Sequence, residues 1–110
     1  MKEKFRPAFQ GLADAVKDEG CRTQIILALL ALCAGFVLKL SAAEWVAVIV
    51  CIGMVITAEI LNTAIEKVCD LISKENDERI RLIKDLSAGA VLVSALTALI
   101  CSLVILFQHI

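Results

Sequence analysis

The stretch Trp45-Val-Ala-Val-Ile-Val-Cys-Ile-Gly-Met-Val-Ile-Thr-Ala-Glu59-Ile-Leu-Asn62-Thr-Ala-Ile-Glu66-Lys-Val-Cys-Asp70 decides the fold. Its first 14 residues, Trp45 to Ala58, carry no charge. The remainder is apolar except along one line. Glu59, Asn62, Glu66 and Asp70 fall at i, i+3, i+7 and i+11. At about 100° per residue these lie near 0°, 300°, 340° and 20°, so a helix carries all four on one face. A helix apolar all round is a buried or membrane helix, and this one adds an acidic stripe at its far end.

Outward from this stretch lie two more apolar runs, Ile25–Leu38 with 14 uncharged residues and Leu86–Phe107 with 22. Only the last exceeds the roughly 18 residues that mark a spanning helix. The first reaches Leu40 if Lys39 snorkels to the interface, and the second reaches spanning length with Glu59 inside it. Trp45 stands where interfacial aromatics anchor a span. Apolar residues make up 60% of the 110, and mean hydropathy is +0.88. Soluble domains run at about 45–50% apolar, and one this small has too much exterior to hide the excess. The expected fold is therefore an all-α integral membrane protein, a single domain over 1–110, with spans at about 24–40, 43–65 and 86–107. Residues 3–20 read as an N-terminal amphipathic surface helix, with Phe5, Phe9, Leu12 and Val16 on one face at helical spacing.

Lys plus Arg is 11 and Asp plus Glu is 12. That balance argues against a nucleic-acid partner, which requires a basic surplus. The distribution of the basic residues is more informative. Lys2, Lys4, Arg6, Lys17 and Arg22 precede the first run, and Lys39 alone separates the first from the second. Lys67, Lys74, Arg79, Arg81 and Lys84 separate the second from the third, and none follows. The positive-inside rule predicts a cytoplasmic N-terminus and 67–84 segment, with the 39–44 turn and the C-terminus outside. No apolar signal region occurs within the first 24 residues, so secretion is not expected. The five cysteines are never closer than 12 positions, which excludes CxxC-type sites and favours free thiols. The glycines form no phosphate-binding loop. The single histidine, His109, reads as inert.

The stripe carries the chemistry. Ionisable groups at membrane depth cost about 2.5–3.5 kcal/mol each on insertion scales, so they are functional candidates by default. The bland alternative, a helix leaving the membrane after Glu59 or an interhelical clamp, suits Asp70 better than Glu59. Carboxylates bind hard divalent cations such as Mg²⁺. A desolvated carboxylate also serves as a general base. Asn62 is placed to orient a ligand or a neighbouring carboxylate, Glu59 above all. Arg79, Arg81 and Lys84 offer cations to an anionic phosphate, and Glu75, Asp77 and Asp85 add acids. Together these are the parts of phosphoryl transfer at a membrane surface.

The run Glu59–Asp70, followed after 13 residues by Lys84-Asp85-Leu-Ser-Ala-Gly-Ala-Val, resembles the bacterial integral-membrane lipid kinases, the diacylglycerol kinase and undecaprenol kinase family. That family's pattern is E-[IL]-x-N-[ST]-A-I-E-x-x-x-D, then K-D-x-x-[AS]-[AG]-A-V, and every fixed position is filled. Phe5-Arg-Pro-Ala-Phe-Gln-Gly11 with Glu19 eight residues later, and Gly35-Phe-Val-Leu-Lys-Leu-Ser-Ala-Ala-Glu-Trp45, are also similar to the family. The sequence departs from it at Arg22, where an apolar residue is usual. The resemblance implies a homotrimeric bundle in the bacterial cytoplasmic membrane, with Mg·ATP as phosphoryl donor and active sites shared between subunits. It implies that Glu59 takes the proton of a lipid hydroxyl, that Glu19 and Glu66 hold Mg²⁺, and that Lys84 and Asp85 contact ATP. Glu75, Asn76 and Asp77 would lie beside the nucleotide, with Asn62 and Asp70 organising the site. The Lys39–Trp45 turn looks like the Gram-positive branch, which favours undecaprenol as the lipid alcohol over diacylglycerol.

Two readings of other classes compete. A small proton-coupled transporter would use Glu59 as its carrier, but gives Lys84-Asp85 no role and usually needs four spans. A non-catalytic assembly subunit would use the stripe as an interhelical clamp.

Overall fold

A computed structural model describes residues 2–110, the side chain of Lys2 excepted; Met1 of the expected 1–110 domain lies outside the described residues. The described chain is four helices in sequence: α1 Lys2–Val16, α2 Glu19–Leu38, α3 Ala42–Ile72 and α4 Glu78–His109. Three of them, α2, α3 and α4, are long and apolar enough to cross a membrane. At about 1.5 Å per residue, the 31 residues of α3 extend about 46 Å and the 32 of α4 about 48 Å. The hydrocarbon core is about 30 Å thick, so both helices project well beyond it.

Each helix boundary has a local cause. Asp18 stands in extended conformation (φ −79°, ψ 134°), and its carboxylate accepts from the Cys21 backbone N–H, capping α2. This cap corrects the expected surface helix over 3–20. The chain breaks at Lys17–Asp18, so Glu19 opens α2 instead of ending the first helix. At the other end of α2, Lys39 adopts the left-handed conformation (φ 55°, ψ 58°), and its N–H reaches back to Gly35 and Phe36 carbonyls. The helix therefore stops at Leu38, and the expected extension to residue 40 does not form. Two residues later Ser41 starts α3 with a reciprocal capping box: its hydroxyl accepts from Glu44 N–H at 3.2 Å, and the Glu44 carboxylate accepts from Ser41 N–H at 2.9 Å.

The α2–α3 corner is closed by aromatic packing. Phe36 and Trp45 rings lie 5.0 Å apart at 56°. Gly35 is required there, because a Cβ at this position would meet the Trp45 ring at 2.6 Å. The reading of His109 as inert is also corrected. Its Nε2 lies 3.0 and 2.9 Å from the two Glu44 oxygens, tying the end of α4 to the start of α3.

Helices α3 and α4 pack along much of their length, with α2 laid more sparingly on α3 and α1 touching α2. The interior is thin: Val55, Cys21, Cys69 and Ile80 are its buried apolar residues, with Glu59, Ser87 and Ser94 as buried polar ones. Only 11%, 11% and 6% of the apolar windows of α2, α3 and α4 are buried within the chain. Such helices need a non-aqueous surrounding, which makes the chain a multi-pass membrane protein.

Candidate active site

The acidic stripe lies along one face of α3, and each member has its own environment. Glu59 is buried, 9% exposed, against the start of α2. Its Oε2 sits 2.8 Å from where a Cβ on Gly20 would be, so the absent side chain of Gly20 is the space the carboxylate fills. Asp18 Oδ2 is 3.2 Å from the same point. That Asp18 oxygen also accepts from the Thr63 hydroxyl at 3.2 Å and from Cys21 N–H at 3.2 Å. Among the described residues, Glu59 enters no side-chain hydrogen bond or ion pair.

One turn on, Asn62 is oriented by two bonds. Its Oδ1 accepts from Ser87 Oγ of α4 at 2.8 Å, and its Nδ2 donates to Glu66 Oε1 at 3.1 Å. Asn62 therefore steadies Glu66, whereas the sequence suggested that it would hold Glu59. The reason is geometric: with Oδ1 committed to Ser87, the amide N–H₂ faces the Glu66 side. Below them, Asp70 and Lys84 join α3 to α4 through a 2.9 Å ion pair.

The α3–α4 turn completes the arrangement. Glu75, Asn76, Asp77, Lys84 and Asp85 line one hollow of about 500 Å³. Arg81 pairs with Glu78 and Asp85 on its rim. Asp77 caps α4 through Arg79 N–H at 2.8 Å. The Arg79 guanidinium and that N–H hold the Asp77 carboxyl below the ordinary carboxylate range. A depressed folded-state value means the cap contributes stability above the unfolded carboxylate range and loses it as pH falls through the folded value. Asp77→Ala should therefore flatten the acid limb of thermal stability in detergent; an unchanged acid limb would show that the cap is not coupled to folding.

Glu19 stands apart. It is exposed on the first turn of α2, its carbonyl accepts from Thr23 Oγ1, and no hydrogen bond or ion pair joins its carboxylate to Glu66 among the described residues. Sequence reasoning missed Asp18, Gly20, Thr63 and Ser87. Asp18 had a readable signal, an Asp directly before a helical run, whereas the other three acquire their roles through packing.

The helices and the stripe define a class: a small multi-pass membrane protein whose long central helix presents acids, an amide and, through α4, a lysine near the emergent end of the bundle. Comparison with known proteins narrows the class. Residues 6–106 match the model of the prokaryotic diacylglycerol kinase family, and the chain belongs to that family. It is 40% identical over 74 residues to an undecaprenol kinase of Bacillus subtilis (strain 168), an alignment covering 67% of this chain and 60% of that protein. It is 32% identical over 103 residues to a diacylglycerol kinase of Escherichia coli (strain K12), covering 93% of this chain and 84% of that protein.

Proposed function

We propose that the chain is an ATP-dependent lipid kinase that phosphorylates the primary hydroxyl of a membrane lipid alcohol, with undecaprenol preferred over diacylglycerol. The observation that carries this reading is the buried carboxylate of Glu59, without a hydrogen-bond or ion-pair partner among the described residues and on the same face as Asn62, Glu66 and Asp70. The family match and the two relatives named as lipid kinases support the reaction class. The greater identity to the undecaprenol kinase supports the lipid.

In this reading the lipid hydroxyl approaches Glu59 at membrane depth. Its oxygen attacks the γ-phosphorus of ATP, the bond to the β-phosphate oxygen breaks, ADP leaves, and the hydroxyl proton passes to Glu59 and then to water. The donor chemistry of Glu66 and Glu19 suits Mg²⁺, while no group of three or more acidic, His or Cys side chains gathers as a metal site among the described residues. Glu66 and Glu19 offer hard oxygen donors from two helices, and Mg²⁺ takes few protein carboxylates, adding phosphate and water. When bound, Mg²⁺ would neutralise phosphate charge. Asn62 orients Glu66, Asp70 holds Lys84 at the α3–α4 junction, and Lys84 and Asp85 face the nucleotide with Glu75, Asn76 and Asp77 around the hollow.

The proposed setting is the bacterial cytoplasmic membrane, with the N-terminus and the α3–α4 turn cytoplasmic. α1 lies in the interface with Phe5, Phe9, Leu12 and Val16 toward the acyl chains; all four side chains are exposed in the isolated chain. A homotrimer would cover the apolar flanks and complete the site with a carboxylate from a neighbouring subunit. Reporter fusions after His109 should be active only outside the cytoplasm, and cytoplasmic activity there would overturn the topology. The substrate reading is tested by offering undecaprenol, diacylglycerol and ceramide with labelled ATP in one detergent. Undecaprenyl phosphate should be the major product. A main product of phosphatidic acid would move the assignment to diacylglycerol, and no labelled lipid at all would favour a transporter or assembly role.

A further inference from the structure

Glu59 needs a fixed position to act on a hydroxyl, yet among the described residues no side-chain hydrogen bond of its own holds it. What surrounds it is the first turn of α2. Asp18 Oδ2 receives two donors, Cys21 N–H from its own helix and Thr63 Oγ1 from α3, 45 residues away. This joint pins the start of α2 to α3 one turn beyond Glu59. Between Asp18 and Cys21 sits Gly20, whose missing Cβ is the space occupied by Glu59 Oε2. Cys21, just past the glycine, is buried at 1% exposure. The atoms nearest that vacant Cβ position belong to the Asp18 and Glu59 carboxylates, and Glu19 is exposed on the same turn.

We infer that Asp18 and Gly20 are positioning residues for Glu59: Asp18 locks the first turn of α2 onto Thr63, and Gly20 leaves the slot that sets where the Glu59 carboxylate stands. The same turn begins with Glu19, so the joint also fixes where that acid stands relative to Glu59. The inference rests on the reading of Glu59 as the base. Its geometric part, the joint itself, does not.

Three consequences distinguish positioning from general stability. Thr63→Val and Asp18→Ala each remove the bond between α2 and α3. Asp18→Asn keeps an acceptor oxygen for both donors and restores the joint. Gly20→Ala presses a methyl chiefly on Glu59 Oε2 at 2.8 Å, the far end of a flexible side chain that moves aside, and more lightly on Asp18 Oδ2 at 3.2 Å, so the joint holds after a shift of a few tenths of an ångström. Misplacement of a reacting group by about 1 Å costs on the order of 10²-fold in rate.

The experiment uses the full chain in lipid vesicles and two readouts. One is kcat and KM for Mg·ATP and for the lipid. The other is maleimide labelling of Cys21 with Cys33, Cys51, Cys69 and Cys101 replaced by alanine. Thr63→Val and Asp18→Ala should lower kcat by about ten- to a hundredfold with KM values within about twofold, and should expose Cys21 to labelling. Asp18→Asn should recover most of both. Gly20→Ala should lower kcat with Cys21 still protected. Wild-type kcat in Gly20→Ala and Thr63→Val, or losses confined to KM, would overturn the positioning role. Should the wild-type chain phosphorylate no lipid, the labelling still decides the joint: faster labelling in Thr63→Val upholds it, and equal protection overturns it. Loss of folding in Asp18→Ala leaves Thr63→Val and Gly20→Ala to decide.

Discussion

Glu59→Gln is expected to abolish lipid phosphorylation while ATP binding persists. The substitution keeps the shape that fills the slot at Gly20 and removes only the capacity to accept a proton. Because Glu59 enters no ion pair or side-chain hydrogen bond among the described residues, its replacement leaves no buried partner stranded, and the fold should be unaffected. Loss of a general base is worth about 10²–10⁴ in rate. Initial rates on undecaprenol and nucleotide binding, measured on the same preparation, separate chemistry from binding. Near-wild-type turnover on every lipid offered would remove the base assignment and return the stripe to a structural role.

Glu66→Gln should cost nearly as much, for a different reason. Asn62 donates to Glu66 Oε1, and a glutamine retains an oxygen there, so the Asn62–Ser87 link and the α3–α4 contact survive. What disappears is a negatively charged oxygen donor for Mg²⁺. Metal stabilisation of phosphoryl transfer amounts to several kcal/mol, so a fall of about 10²-fold or more is expected, with a raised Mg²⁺ requirement. The readout is turnover against Mg²⁺ concentration at fixed ATP. Normal turnover with normal Mg²⁺ dependence would contradict the assignment. The two variants should differ in kind: one fails at every Mg²⁺ concentration, and the other recovers in part as Mg²⁺ rises.

The stripe and the three apolar helices were legible because they are periodic, local features. Glu59, Asn62, Glu66 and Asp70 share a face by spacing alone, and that face survives in the structure with each residue in a distinct contact. Lys84 pairs with Asp70, and Lys84 and Asp85 both line the turn hollow. Local chemistry was overlooked in two places. Asp18 is an efficient cap, and it moves Glu19 from the first helix to the second. Lys39 takes a left-handed conformation that ends α2 two residues early. Other features lay beyond any local reading. The Asp18–Thr63 bond spans 45 residues and the His109–Glu44 contact 65, so both exist only once the helices have packed. Which neighbour Asn62 would steady was likewise set by Ser87, 25 residues on.

The decisive measurement is transfer of label from the γ-phosphate of ATP to undecaprenol in vesicles containing the purified chain, with the Glu59→Gln protein alongside. If Glu59 is the base, the wild-type chain makes undecaprenyl phosphate in a Mg²⁺-dependent reaction and the variant makes essentially none. Equal labelling by both proteins would remove Glu59 from the chemistry, and no labelled lipid from the wild-type chain with any lipid alcohol would remove the kinase assignment.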